Sequence, residues 1–249
     1  MFRPVALLVT LAILPVPAAR AADEPKDIIA KAIKAHGGEE FLTKHQASQS
    51  KKKGKVNVPG VGEAEFTQET AYMLPDKFRD AMELKVANQT INVLTLVDGA
   101  KVVIEVNGKA IDVPDAARTA IAEIGHVLTV GRLVPLIKDK GYELSIIGED
   151  KVGEQEVVGV RVSAKGKKDV GVYFDKKTYL LAKITFRTAD QATGNEVEEE
   201  RIVVEYQKLK DGVPTAKKVI VKRDGKELVV AEVLESQYLE KLDDSEFKK

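Results

Sequence analysis

Glu63-Ala64-Glu65-Phe66-Thr67-Gln68-Glu69-Thr70-Ala71-Tyr72 alternates in character residue by residue. Ala64, Phe66, Thr70 and Tyr72 share one side of an extended chain, and Glu63, Glu65, Thr67 and Glu69 share the other. A period of two with one apolar and one charged side is the pattern of a strand that buries one face and wets the other. The same period returns in Val102, Ile104 and Val106, in Val170, Val172 and Phe174, and in Leu180, Ala182, Ile184 and Phe186. Between such runs stand Pro59-Gly60, Asp98-Gly99, Asn107-Gly108, Asp211-Gly212 and Asp224-Gly225. Asn-Gly and Asp-Gly supply the positive φ angles of tight hairpins, so neighbouring strands are expected to be antiparallel. About ten strands are expected, enough for a sheet to curl.

Helical spacing appears in two places. Near the start, Asp23 can cap a helix with Pro25 in its first turn, and Ile28, Ile29, Ala32 and Ile33 fall on one face before His36-Gly37-Gly38. A second short helix is expected from Glu39 to about His45. In mid-chain, Ala117, Ile121, Ile124 and Leu128, then Leu133, Leu136 and Ile137, repeat at helical spacing between Asp115 and Lys140. Gly131 and Pro135 interrupt that run, which predicts two shorter helices or one sharp bend. Many strands and few helices make a β-rich α+β fold: a curved antiparallel sheet, an incomplete β-barrel, with helices covering the concave face.

The extreme N-terminus reads differently. Met1-Phe2-Arg3-Pro4 precedes an apolar run from Val5 to Val16, and Ala19 and Ala21 bracket Arg20 in an A-x-A pattern. About 12 apolar residues are too few to span a bilayer, so residues 1–21 are expected to be an export signal cleaved after Ala21. Residues 22–249 then form a single exported, soluble, periplasmic domain, since no low-complexity tract or Pro/Ser-rich linker divides them.

Composition removes many functions. The 249 residues carry 39 basic and 39 acidic side chains, and cleavage takes Arg3 and Arg20 but no acid, leaving a net charge of about −2. Near-neutrality offers no field to gather phosphate backbones, so no nucleic-acid partner is expected. The absence of Cys excludes disulfides, thiolate metal sites, Cys nucleophiles and a cysteine-linked lipid anchor. The three histidines, His36, His45 and His126, fit no metal-binding spacing, and His36 reads as a surface residue at a helix end. Glu196-Val197-Glu198-Glu199-Glu200 reads as a solvated strand whose carboxylates diverge. Lys51-Lys52-Lys53, with Lys165, Lys167 and Lys168, reads as protection of a sheet edge, with contact to anionic lipid head groups as the alternative. No nucleophile elbow, phosphate loop or dinucleotide fingerprint occurs, so catalytic residues, metals and cofactors are all expected to be absent. A curled sheet under amphipathic helices forms either a filled core or an apolar pocket of the kind that holds acyl chains. Periodicity does not separate the two.

Three further stretches carry a resemblance. They are Ala35-His36-Gly37-Gly38 with Phe41-Leu42, then Tyr72-Met73-Leu74-Pro75-Asp76-Lys77-Phe78-Arg79, then Val172-Tyr173-Phe174-Asp175-Lys176-Lys177-Thr178-Tyr179-Leu180-Leu181-Ala182-Lys183-Ile184. In this order after an export signal, they resemble the outer-membrane lipoprotein-sorting (LolA/LolB-like) carrier superfamily. The resemblance implies a half β-barrel closed by helices, which binds or carries lipid or lipoprotein acyl chains without catalysis. Its partners would be lipid or lipidated protein and envelope membrane components. The apolar phase of Phe66, Ile121, Ile124, Leu128, Leu133, Phe174 and Phe186 makes them the expected lining of a lipid cavity. A different class stays open: an envelope interaction or sensor module with a solid core that meets a protein partner.

Overall fold

The computed structural model describes residues 24–249 apart from 59, 88, 191 and 192. The expected export signal, with Ala19 and Ala21, and the expected cap Asp23 lie outside the described residues. Two helices come first, α1 (Pro25–Ala35) and α2 (Glu39–Lys44). Six strands follow: β1 (Ala47–Val58), β2 (Gly62–Met73), β3 (Lys77–Val86), β4 (Gln89–Asp98), β5 (Lys101–Val106) and β6 (Lys109–Ile111). Then come α3 (Asp115–Gly131) and α4 (Pro135–Lys138). A second run of strands completes the chain: β7 (Tyr142–Val152), β8 (Gln155–Ala164), β9 (Val170–Asp175), β10 (Leu181–Ala189), β11 (Glu196–Lys208), β12 (Pro214–Arg223) and β13 (Lys226–Leu239). A 3-10 turn, Asp244–Phe247, follows β13.

Among the described residues, all the strands belong to one antiparallel 13-stranded sheet in the order β6-β5-β4-β3-β2-β1-β13-β12-β11-β10-β9-β8-β7. Two meanders, β1–β6 and β7–β13, are joined by the pairing of β1 with β13, and β6 and β7 are left as the two edges. The sheet therefore never closes. Thirteen strands replace the ten or so expected because β6 is only three residues long and β3 turns a carboxylate, Asp80, to its inner side, which blurs the alternation. Asn107-Gly108 and Asp224-Gly225 behave as read from sequence, all four residues having positive φ. Gly131 and Pro135 divide the mid-chain helix as expected, with Leu133 at φ 63° between the two pieces.

Topology also explains the curl. Twelve gaps of about 4.8 Å would set β6 and β7 about 58 Å apart in a flat sheet. The chain passes from one edge to the other through α3, a helix of about 25 Å, and the short α4. Accordingly α3 packs on β9 and β10 while also facing the β2–β3 turn and the β4–β5 hairpin. At Gly54 there is no room for a side chain: a Cβ would lie 2.1 Å from the Val230 carbonyl oxygen, and the Phe66 ring packs over the gap from the neighbouring strand.

The core is concentrated under the helices. Ile28, Ile29, Ala32 and Ile33 of α1 and Val127 and Val130 of α3 belong to one buried cluster with Val160, Val162, Val170, Val172, Phe174, Ile184 and Phe186 of β8–β10. His36 is not the surface residue expected. Its Nδ1 donates to the Ala32 carbonyl at 2.8 Å, its Nε2 accepts from the Leu181 N–H at 3.4 Å, and its ring meets Tyr206 edge-on. Burial holds its pKa below the ordinary value. The lysine reading is corrected too: Lys51, Lys52 and Lys53 lie on β1, which is paired on both sides and lies far from either edge. Lys51 and Lys53 instead pair across strands with Glu69 and Glu232.

On the convex side a small second cluster forms. Ala71 and Leu96 face outward and are buried, and the C-terminal 3-10 turn lies against β3 and β4 with Phe247 2% exposed. Asp244 accepts from Lys77 at 2.6 Å, and Lys249 pairs with the buried Glu105.

Candidate functional site: an apolar cavity under helix α3

The register of the first meander fixes what its concave side presents. Strand pairing aligns Tyr72, Phe78, Val97 and Val102 in one inward row, nearest the β2–β3 turn. The next inward row is Ser236, Ser50, Thr70, Asp80 and Thr95, one residue from each of five adjacent strands. Beyond it lie Lys52, Gln68, Met82 and Val93, and then Phe66, Leu84 and Ile91.

Across the first of these rows lies α3, and between them is a cavity of about 500 Å³. Ile121, Ile124 and Leu128 form its helical wall, and Phe78, Val97 and Val102 form its sheet wall. Leu74 and Pro75 of the β2–β3 turn close one side. The volume lies within the range of ordinary small-molecule sites, and the lining is aliphatic and aromatic with a few polar groups, as such sites require.

Those polar groups are His126, Tyr142, Arg118, Lys167, Asp76 and Lys77. His126 stacks on Tyr142 with the ring planes 10° apart, and its Nε2 is buried without a hydrogen-bond partner among the described residues. Burial, and the nearby Lys167 charge, lower its pKa; burial and the Asp139 charge raise that of Tyr142. Lys77 is neutralised by Asp98 and Asp244.

The inward row next to the cavity's sheet wall is a polar belt. Ser50 and Thr70 hydroxyls are 2.7 Å apart, Thr215 and Ser236 hydroxyls 3.2 Å apart, and Gln68 donates to Asp80 at 2.8 Å. Burial pushes the Asp80 carboxyl up and the Lys52 ammonium down, with each one's charge partly restoring the other. In the second meander, on β11, Glu199 is 3% exposed and accepts from Arg201 Nε at 2.9 Å and Arg223 Nε at 3.0 Å. Arg201 in turn lies over the Phe186 ring, and Arg223 reaches Asp190. The acidic run is therefore not uniformly solvated. Alternation turns Glu199 inward, where two guanidiniums from its own and the adjacent strand meet it.

The seven residues expected to line a lipid cavity separate by depth. Ile121, Ile124 and Leu128 are brought together on the cavity wall. Leu133, Phe174 and Phe186 are 1%, 0% and 4% exposed within the packed core, and Phe66 lies over Gly54, two rows beyond the belt. Sequence reading missed Phe78, Val97 and the belt. Its trace was present in β2, where Gln68 breaks an otherwise apolar inward phase.

Three solved structures share the fold over nearly the whole chain. A LolA superfamily protein from Nitrosomonas europaea aligns with a TM-score of 0.55 at 10% identity, covering 92% of this chain and 99% of that one. An outer membrane lipoprotein-sorting protein domain from Vibrio parahaemolyticus gives 0.51 at 12% identity, covering 89% and 94%. A DUF1329 family protein from Desulfovibrio piger gives 0.51 at 15% identity, covering 91% and 98%. No protein-family profile matches the sequence, and no curated protein matches it. The chain thus shares its incomplete, curved barrel with these three proteins, at identities where likeness speaks for fold alone. Among the described residues, no helix is long and apolar enough to cross a membrane.

Proposed function

We propose that this chain is an exported, soluble periplasmic protein that binds or carries lipid or lipoprotein acyl chains in the cavity under α3, without catalysis. One observation carries the reading: the helix that bridges the two edges of the sheet holds Ile121, Ile124 and Leu128 over a void instead of packing them down. Apolar side chains kept off a core give up the burial that would stabilise the fold, about 25 cal/mol for each Å². An apolar guest restores that burial. The lipoprotein-sorting fold and the A-x-A leader support an envelope role.

The alternative, an envelope module that recognises a protein partner, draws support from the filled core beneath α1 and β8–β10. Organic extraction of the mature protein purified from its native host, followed by mass spectrometry, separates the two. Bound phospholipid or lipopeptide that is lost in Leu128→Glu is the expected result. An extract empty of lipid, with no acyl probe displaced from the native protein, would overturn the carrier reading.

A further inference from the structure

The polar lining of the cavity is not evenly charged. Its one carboxylate is Asp76, while its cations are Lys77, Arg118 and Lys167. Lys77 is already neutralised on the convex side by Asp98 and Asp244. Lys168, the neighbour of Lys167 on the β8–β9 loop, is held by Glu123 and Glu196. Lys167 and Arg118 have no such carboxylate among the described residues. Beside Lys167 is His126, whose buried Nε2 has no partner among the described residues, stacked on Tyr142. A cation, an unsatisfied imidazole nitrogen and a phenol thus converge on one corner of an otherwise apolar space. Leaving such a nitrogen buried and unpaired costs free energy that a ligand atom can recover.

Volume limits the rest of the ligand. At the ~30 Å³ that a water-sized group occupies, about 500 Å³ holds roughly 17 such groups, about the size of one acyl chain. One inward row beyond Phe78 and Val97, the belt of Ser50, Thr70, Asp80 and Thr95 disfavours a longer tail, because an alkyl group laid on it would strip hydration from hydroxyls and a carboxylate.

We propose that the cavity takes a single-chain anionic amphiphile, whose acid group is held at the corner formed by Lys167, His126 and Tyr142 while its tail lies between α3 and the sheet. This rests on the acyl-binding reading and narrows it. The acid can be the carboxylate of a fatty acid or the phosphate of a monoacyl phospholipid; both offer oxygen acceptors to the lysine and the imidazole N–H.

The test is titration calorimetry of the mature protein with three probes of equal chain length: palmitate, 1-palmitoyl lysophosphatidate and the uncharged 1-monopalmitoylglycerol. Tighter binding of one or both acids than of the glyceride is expected, and which acid binds tighter identifies the head group. Lys167→Gln is expected to weaken the acids about tenfold and leave the glyceride unchanged. Lys168→Gln changes neither. The His126 ring resonances are expected to move with the acids in the native protein. Equal affinity for all three probes, or a Lys167→Gln effect shared by the glyceride, would overturn the anion site while leaving an acyl cavity in place. Binding of none of the three would overturn both readings.

Discussion

The Nε2 atom of His36 accepts a hydrogen bond from the backbone N–H of Leu181, 145 residues further along the chain, while its Nδ1 donates to the Ala32 carbonyl one turn back in α1. A carbonyl can only accept and an amide N–H can only donate, so the contacts fix a neutral imidazole protonated at Nδ1. A second proton at Nε2 would face the Leu181 N–H. Burial accordingly lowers the His36 pKa from 6.5. The unfolded chain then binds the proton first as pH falls, and stability is lost below about 6.5 until the folded-state pKa is passed. Thermal unfolding between pH 7.5 and 5.5 is expected to show a falling midpoint. His36→Gln should be less stable at pH 7.5 and flatter in slope, with the residual slope from His126, whose shift has the same sign. A native midpoint independent of pH across this range would contradict the assignment.

Glu199 is the hinge of a buried charge cluster. With both its oxygens occupied by Arg201 and Arg223, Glu199→Ala leaves two guanidiniums facing the interior. Because those side chains are 31% and 28% exposed and can regain water, the expected cost is about 2–3 kcal/mol, below that of a fully buried pair. Urea denaturation measures it, and a loss under 0.5 kcal/mol would show that the cluster is dispensable.

Depth, and not apolar phase, should govern the response to truncation. Phe174→Ala opens a hole in a closed core and is expected to cost about 3–5 kcal/mol. Ile124→Ala, on the cavity wall, removes atoms that already border a void and is expected to cost under about 1.5 kcal/mol, with weaker uptake of an acyl probe. Equal costs at the two positions would mean that the space under α3 is filled in solution.

Gly54→Ala places a methyl group against the Val230 carbonyl where β1 and β13 approach most closely on Gly54. The strands must part or flatten there, at an expected cost of about 3 kcal/mol. Amide exchange should quicken along β1 and β13 before it does in β8 and β9. Uniform protection would show that the methyl group is accommodated without parting the strands.

The C-terminal turn is expected to act as a clasp on β3 and β4. Phe247→Ala should expose Ala71 and Leu96 and raise amide exchange in β3–β5, with little change under α1. Unchanged protection in β3–β5 would remove that role.

Much of this architecture was legible residue by residue. Alternation around Phe66, the Asn-Gly and Asp-Gly turns, and the break at Gly131 and Pro135 are local signals, and local backbone physics reads them. Phe174 and Phe78 show the limit. Both have the inward phase, but one is sealed in the core and the other faces a cavity, because depth depends on which helix lands above. Glu199 fails to look buried for the same reason. Its partner Arg223 is supplied by an adjacent strand, and register across strands is not written in the run of glutamates itself. The lysines of β1 read as edge residues only because pairing with β13 is not visible in the local sequence.

The unjoined strands β6 and β7 set the mechanical character of the molecule. A closed barrel has a circumference dictated by strand number and stagger. This one has a slit, and the backbone that crosses it is α3 and α4. The length of that crossing acts as a gauge for the aperture: a few residues inserted after Gly131 would let the rim spread, and a few removed would draw it tight. Selection on one short segment could thus resize the interior without touching a single strand.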